Sequence, residues 1–526
     1  MAASSDTGIL RFDDDLQVEA RTVLSHTAEP QNAFEVAVIL ETLGHTDATA
    51  QARGYDDLFD LARHLHETLE DVGIVHHVRP GGTADLPEPL SMAQAAGLFV
   101  GQSLPWLTAL FVLLAVGTGF WSSTLFTRDQ SAAMVLALSA GLVSSALFTY
   151  PFARRATFYR LQGQLGLVGW SARWILGAGV VGSAALIGAV YLLLDRVLGL
   201  YTPGDTRAFF EIGVAIAVLQ LSFAPLYTLR AFGWLAAATA AGVGVLLAAL
   251  PSVEHGIYTD PFDVISVQLA SIGAMAMVAT VGSWWLLRRP CDRATPPRKW
   301  AVVRSTAPYA LYGAGFFLLV MAGGLAAGGI WHGTFHYVQD YNVVTGTAIF
   351  VLLPLFWYTT MVGERLPPHV AALVRRLSVV EVPAAAAELR ARFRRELVTL
   401  VGVGVAAGAG LVVLAGLLSG SVGVAELVWR HLALFVGALS SYVAVAVGVL
   451  SSQMLIVLSR PAVPAAGVVA GSAVTLAAAG SFALGVSATS AAVLGLLVGT
   501  ACFAGSTWWA TDRVLRRFDH VYYGAL

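Results

Sequence analysis

Charge is scarce in this chain. Asp, Glu, Lys and Arg make up 12% of its 526 residues, against 57% hydrophobic ones. That balance excludes a soluble globule of this size, which would need a polar surface the composition cannot supply. Cysteine is nearly absent: Cys291 and Cys502 are the two residues present, too few and too far apart for a disulfide framework or a cysteine metal site. No Gly-rich phosphate loop of the P-loop kind occurs, which excludes nucleotide hydrolysis by that route. The roughly ten-residue alternation of a lipid-facing barrel strand is missing as well. The start of the chain is polar and acidic, so no cleavable signal segment is expected.

Long apolar stretches are what the chain has in quantity. Crossing a bilayer takes about 20 mostly apolar residues at a rise of about 1.5 Å each. Twelve such stretches begin near Leu104, Ser131, Trp174, Glu211, Gly233, Ile265, Ala307, Val344, Leu397, His431, Ala462 and Ser490. All are expected to be helices, because backbone groups in hydrocarbon have to be satisfied within their own segment. The expected fold class is an all-α polytopic membrane protein, with about 12 transmembrane helices in two pseudo-symmetric six-helix halves.

The basic residues orient these spans. Of the 26 Lys and Arg beyond residue 90, 22 fall in alternate gaps, from Arg154, Arg155, Arg160 and Arg173 through to Arg513, Arg516 and Arg517. Arg128, Arg196, Arg207 and Arg430 are the four in the other gaps. The positive-inside rule then places the rich set, and both termini, in the cytoplasm of a bacterial inner membrane.

Residues 1–90 differ in kind, with 17 Asp and Glu against 5 Arg. They are expected to form an acidic helical cytoplasmic domain with a linker, free to rest on the basic cytoplasmic loops. Helices are expected at Ala33 to Leu43, Asp47 to Gly54 and Tyr55 to Val72. Val36, Ile39, Leu40 and Leu43, then Leu58, Leu61, Leu65 and Leu69, recur at helical spacing, and Gly44 and Gly54 close the first two helices. His64, His66, Glu67, His76 and His77 lack regular ligand spacing and read as a solvated face, so no metal is expected. The remaining boundaries are a first six-helix bundle at 95–287, a basic inter-bundle loop at 288–306, a second bundle at 307–510 and a basic tail at 511–526.

Two features support the halving. The first span opens Leu104-Pro105-Trp106 and the seventh Ala307-Pro308-Tyr309, and amphipathic gaps follow the second and eighth spans, at Ala153 to Arg173 and Arg365 to Glu396. Parallel repeats of this kind surround a central cavity in transporters. Pro225 and Pro354, inside spans, each remove a backbone donor and predict kinks, which serve hinges or static packing equally well. Ionisable groups lie at span ends (Asp195, Glu211, Asp340, Glu364), while mid-span polarity is limited to Gln220, Gln268, Tyr312, Tyr442 and scattered hydroxyls. That pattern disfavours proton-driven drug extrusion, which calls for a buried carboxylate, and favours a neutral, hydroxyl-rich cargo. The paired tryptophans near span ends read as an interfacial belt.

The Pro-aromatic openings, the segment Trp331-His332 leading to Asp340-Tyr341, the span from Val344 to Glu364-Arg365, the amphipathic stretch before the ninth span and the tail with Tyr522-Tyr523 together resemble the membrane subunit of Pel exopolysaccharide export (PelG-type). The resemblance covers about residues 95–526. That family is related to the multidrug, oligosaccharidyl-lipid and polysaccharide exporters, so the resemblance implies twelve helices in two bundles, carbohydrate passed outward, and a cytoplasmic glycosyltransferase and other membrane subunits as partners. The N-terminal domain departs from the family form.

On this reading the chain is not an enzyme, has no cofactor and no nucleic-acid partner, and exports carbohydrate by alternating access. Arg154, Arg155 and Tyr159 are expected at the inner mouth, with Glu364 and Arg365 at the corresponding place in the second half. Gln220, Gln268 and Tyr312 line the passage, and His336, Asp340 and Tyr341 stand at the outer mouth. For the arginines the competing reading is topology anchoring. The rival functions are a lipid-linked oligosaccharide or lipid flippase, a membrane-embedded transferase resting on His332, His336 and Asp340, and a non-transporting synthase scaffold.

Overall fold

A computed structural model of the chain describes residues 33–71, 127–161, 164–254, 261–288, 299–325, 339–376, 382–420, 423–458, 460–482 and 485–516, with a few isolated positions. Two compact units emerge, Met1–Glu88 and Pro89–Ala525.

In the first unit, helices α1 (Ala33–Thr42), α2 (Asp47–Gln51) and α3 (Leu58–Asp71) enclose a small core. Leu58, Leu61, Leu65 and Leu69 form one stripe of α3, and all are buried against Val36, Ala37 and Leu40 of α1. Gly44 and Gly54 have φ of +91° and +88°, the left-handed backbone that ends a helix cheaply only at glycine. Leu43, expected inside, is exposed, because α1 stops at Thr42 and the turn at Gly44 carries it outward. Thr46 and Thr49 cap α2 reciprocally, which satisfies two amides that the helix itself cannot.

The second unit contains, among the described residues, eleven helices long and apolar enough to cross a membrane. They are α4 (Arg128–Leu161), α5 (Leu165–Leu198), α6 (Pro203–Thr228), α7 (Phe232–Glu254), α8 (Pro261–Leu287), α9 (Lys299–Leu325), α11 (Leu352–Arg376), α12 (Val382–Leu418), α14 (Leu432–Val457), α15 (Ala462–Phe482) and α16 (Ala488–Arg516). Two short helices, α10 (Gln339–Ala348) and α13 (Gly423–Arg430), stand before α11 and α14. Every span expected from Ser131 onward falls on one of the eleven, and the one expected from Leu104 lies outside the described residues. Val181 and Leu417 are 71% and 77% exposed, as the outer faces of apolar spans in lipid would be.

Boundaries shift where polar residues join a helix. α5 begins at Leu165 and not Trp174. α6 begins at Pro203 and not Glu211, because Thr202 accepts from the Asp205 amide and Pro203 sits at a position whose missing N–H costs nothing. The basic stretches Ala153 to Arg173 and Arg365 to Glu396, expected as gaps, are largely continuations of α4, α5, α11 and α12. Pro225 falls in the last turn of α6, whereas Pro354 lies near the middle of the span Val344–Leu366, directly after a 3-10 turn at Ile349–Val351 where the α-helical ladder is broken. Prolines well inside helices include Pro151 of α4, Pro308 of α9 and the pair Pro367-Pro368 of α11.

Two large cores divide most of the spans, with smaller clusters around Phe152 and Val302 and around Tyr312 and Phe503. One gathers Met134, Phe209, Ile212, Phe223 and Leu235 of the group α4 to α8. The other gathers Leu355, Leu389, Phe435, Leu450 and Met454 of the group α11 to α16. Helix α9 packs on α15 and also along α4, so the groups meet at an α4–α9 seam. Within the second group Asp512 of α16 receives Arg390 at 2.7 Å, Arg394 at 3.2 Å and Arg516 at 2.7 Å, which ties the start of α12 to the end of α16.

Close packing replaces hydrophobic drive between spans, because the lipid outside is as apolar as the helix faces. A Cβ at Gly499 would collide with the Thr475 side chain and the Gly471 carbonyl where α15 crosses α16. Gly499→Val should therefore cost about 1–3 kcal/mol through overpacking, read as a lower melting temperature in detergent. Gly402→Val, facing open space, should leave it unchanged.

Candidate functional site

The end of α4 and the start of α9 are both basic, and they lie side by side. Arg154, Arg155, Phe158 and Tyr159 occupy two successive turns of α4, while Ser305, Thr306 and Tyr309 occupy two turns of α9. Arg155 donates to the Ser305 hydroxyl, and the Arg154 guanidinium stands 5.5 Å from the centroid of the Tyr309 ring. A cavity of about 220 Å³ opens between them, closed on another side by Pro461. Arg155 Nε, beside this cavity, is buried without a hydrogen-bond partner among the described residues, as is the Tyr159 hydroxyl within the apolar packing around Phe152 and Val302. Burying such a group unpaired costs on the order of 1–3 kcal/mol, so at Arg155 the cavity favours a ligand or water able to accept from it.

A second tie crosses the seam. Arg230, in the short link between α6 and α7, pairs with Glu364 of α11 at 2.5 Å. Each side chain is 33% exposed, so the pair is wet enough to exchange with water. Arg230 carries φ of +56°, a left-handed conformation that costs a non-glycine residue roughly 1–2 kcal/mol. Glycine would relieve that strain and lose the guanidinium. The backbone nonetheless closes well, with Ala231 N donating to Leu226 O at 2.8 Å. Arg160 lies within electrostatic range of both Arg230 and Glu364.

The structure gathers some of the expected residues and separates others. Arg154, Arg155 and Tyr159 sit at the seam. Tyr312, one turn beyond Tyr309, is buried there, its ring edge-on to Tyr150 of α4 with centroids 6.0 Å apart. A Cβ at Gly313 would strike that Tyr150 ring, so glycine permits the contact. Glu364 joins Arg230 and not the Arg154–Arg155 cavity, because it points across to the α6–α7 link. Arg365, its neighbour, turns away into a small cavity with Arg392, Phe393 and Glu396. Gln220 is partly buried on α6 and Gln268 is 2% exposed on α8, both within the first group. His336 lies outside the described residues. Asp340 and Tyr341 lie in the first turn of α10, and their side chains fall outside the described parts.

Three participants escaped sequence reasoning. Ser305 is one of many hydroxyls, and Tyr309 read as part of a span opening. Arg230 read as a topology charge, although a lone arginine in so short a gap was the available signal.

The Arg230–Glu364 pair predicts a measurable latch. In a background with Cys291→Ser and Cys502→Ala, Tyr312→Cys is expected to be shielded from a hydrophilic maleimide. Adding Glu364→Gln should raise its reactivity up to about fivefold, the worth of a half-wet ion pair of about 1 kcal/mol. The charge swap Arg230→Glu with Glu364→Arg should restore protection, and unchanged reactivity in Glu364→Gln would show that the pair holds nothing shut.

No family model matches this sequence, and no curated protein matches it either. Solved structures do. A MATE protein in the bent conformation superposes with a TM-score of 0.52 at 12% identity, over 82% of this chain and 97% of that one. An inward-facing multidrug resistance MATE family transporter of the MOP superfamily gives 0.53 at 13% identity, over 80% of this chain and 99% of that one. An outward-facing one gives 0.51 at 14% identity, over 81% and 97%. The described fold therefore resembles that of these MATE transporters.

Proposed function

We propose that this chain is a multi-pass exporter of carbohydrate, in which two groups of helices alternate access across the membrane. The observation that carries the reading is the seam, where two separately cored groups meet along α4 and α9 and are tied at their basic end by Arg155–Ser305 and Arg230–Glu364. Separate cores let each group move as a body, and exchangeable polar ties let the basic end open without breaking a core. The likeness to both inward-facing and outward-facing MATE structures supports this reading. The arginine asymmetry supports placing the basic end in the cytoplasm of an inner membrane.

A carbohydrate cargo is favoured by the middle of the spans. Gln220, Gln268 and Tyr312 carry polar groups without net charge, which suits neutral hydroxyls better than a cationic drug. The resemblance to the PelG-type subunit agrees with a polymer cargo and with a cytoplasmic glycosyltransferase as partner. In this reading Arg154, Arg155 and Tyr159 receive the cargo, and Glu364 gates its entry. A second reading, a lipid-linked saccharide flippase, is favoured by one feature: two guanidiniums and three hydroxyls around the α4–α9 cavity are suited to binding a diphosphate.

Cells lacking the gene, complemented with wild type or Arg155→Gln, distinguish these outcomes. Secreted saccharide should fall on deletion, return with wild type and stay at least tenfold reduced with Arg155→Gln, while drug tolerance stays constant. A change in drug tolerance at constant secreted saccharide would reject the carbohydrate reading. Lipid-linked saccharide building up in the inner leaflet, with polymer synthesis intact, would select the flippase.

A further inference from the structure

A larger cavity opens at the basic end of the first group, away from the α4–α9 cavity. It holds about 500 Å³, and Arg160, Arg288 and Trp285 line it together with Leu165, Leu229 and Leu287. Arg160 is fixed in place, its Nη1 donating to the Thr228 carbonyl at 2.8 Å. The Arg288 guanidinium lies 3.5 Å from the centroid of the Trp285 ring and 6.0 Å from that of Trp284. Stacking occupies the face of the guanidinium and leaves its in-plane N–H donors to point outward. Glu364, within electrostatic range of Arg160, is paired with Arg230, and among the described residues no carboxylate lines the cavity.

The surroundings identify the ligand. Trp284 and Trp285 are 63% and 51% exposed at the end of α8, in the manner of side chains seated at the lipid headgroup level. The walls between the two arginines are leucine, which a free anion has no use for and an acyl chain does. Basic pockets between spans at a membrane face suit lipid phosphates, and among the described residues no acidic side chain lines this cavity to receive the ammonium of a zwitterionic headgroup. We infer that this cavity is a binding site for an anionic phospholipid, with the phosphate taken by Arg160 and Arg288 and an acyl chain lying along the leucines and Trp285. The site stands whether or not the chain exports carbohydrate, since none of its residues belongs to the α4–α9 cavity.

The site spans two helices. Arg160 closes α4 and Arg288 follows α8, so one phosphodiester held by both joins the ends of helices far apart in sequence. Because the ligand binds the folded bundle and not the separated helices, it stabilises the bundle in proportion to its occupancy.

The test uses the full chain, delipidated in a neutral detergent and titrated with phosphatidylglycerol, with phosphatidylcholine of the same acyl chains, or with inorganic phosphate alone. Native mass spectrometry counts bound lipid, and melting temperature reads stabilisation. Phosphatidylglycerol should stay bound and raise the melting temperature, while phosphatidylcholine and inorganic phosphate should do neither. Arg288→Gln should weaken phosphatidylglycerol binding about fivefold, and the pair Arg160→Gln with Arg288→Gln about twenty-five-fold, at the worth of one arginine each near an anionic surface. Arg430→Gln, held by Glu426 far along the chain, should bind like wild type. Equal binding of both lipids, wild-type binding by Arg288→Gln, or stabilisation by inorganic phosphate alone would each overturn the inference. Arg288 is exposed, so its substitution keeps the test valid if the Arg160 variant does not fold.

Discussion

The α4–α9 seam is the constraint on which the rest of the membrane unit depends. Apolar helix faces gain nothing by leaving lipid for each other, so contact between two cored groups has to come from close packing and polar ties. Along the seam the packing is supplied by Gly313 against Tyr150, and by Ser139, whose hydroxyl meets the Met321 sulfur at 2.8 Å. The charged ties lie toward the basic end. An ion pair in mid-membrane would be expensive to break, because its alternative is two bare charges in hydrocarbon. At the membrane surface the alternative is water, and breaking costs on the order of 1 kcal/mol. The placement of the polar contacts thus makes one end of the seam exchangeable while the packed middle keeps its register.

Arg230 shows what that exchangeability requires. Its left-handed backbone places a guanidinium at the tightest point of the α6–α7 link, where glycine is the ordinary residue. The strain is offset by hydrogen bonds that close the turn and by Glu364 across the seam. The two sides of the pair belong to differently cored groups, so relative movement of the groups loads it. Asp512 makes the contrasting case, since its three arginines come from α12 and α16 within one group, and its side chain is 12% exposed. Movement between the groups leaves that cluster intact.

Much of the fold was legible because lipid imposes a simple code of long apolar runs with arginines between them, and every span expected beyond Ser131 is a helix. Span edges were less legible. Thr202 and Pro203 start α6 with polar residues that a hydropathy reading assigns to a gap, and the arginine-rich ends of α4 and α12 stay helical because arginine is a good helix former whose charge reaches the surface. The candidate site was half legible. Arg154, Arg155 and Tyr159 stood out as charge and aromatic at one span end, but their partner Ser305 and the cross-seam match of Arg230 with Glu364 depend on tertiary juxtaposition at a separation of 134 residues in the latter case. Neighbours in sequence also proved misleading. Glu364 and Arg365 read as one mouth, yet successive residues on a helix are about 100° apart and serve different neighbours.

The same angular geometry explains why α4 supplies two sites of different chemistry from one short basic run. Residues five apart on an α-helix are rotated by about 140°, so Arg155 and Arg160 leave α4 on nearly opposite sides. One meets Ser305 across the seam, and the other meets Thr228 inside the first group. Rotation or tilt of α4 cannot change one contact without loading the other, because a helix end transmits torque rigidly over one and a half turns. Pro151 lies four residues before Arg155 within α4, and proline there removes the backbone bond that would resist bending. The end of α4 is thus stiff from Arg154 to Arg160 and hinged just before it, which lets the seam cavity and the leucine-walled cavity respond to a single movement of one helix end.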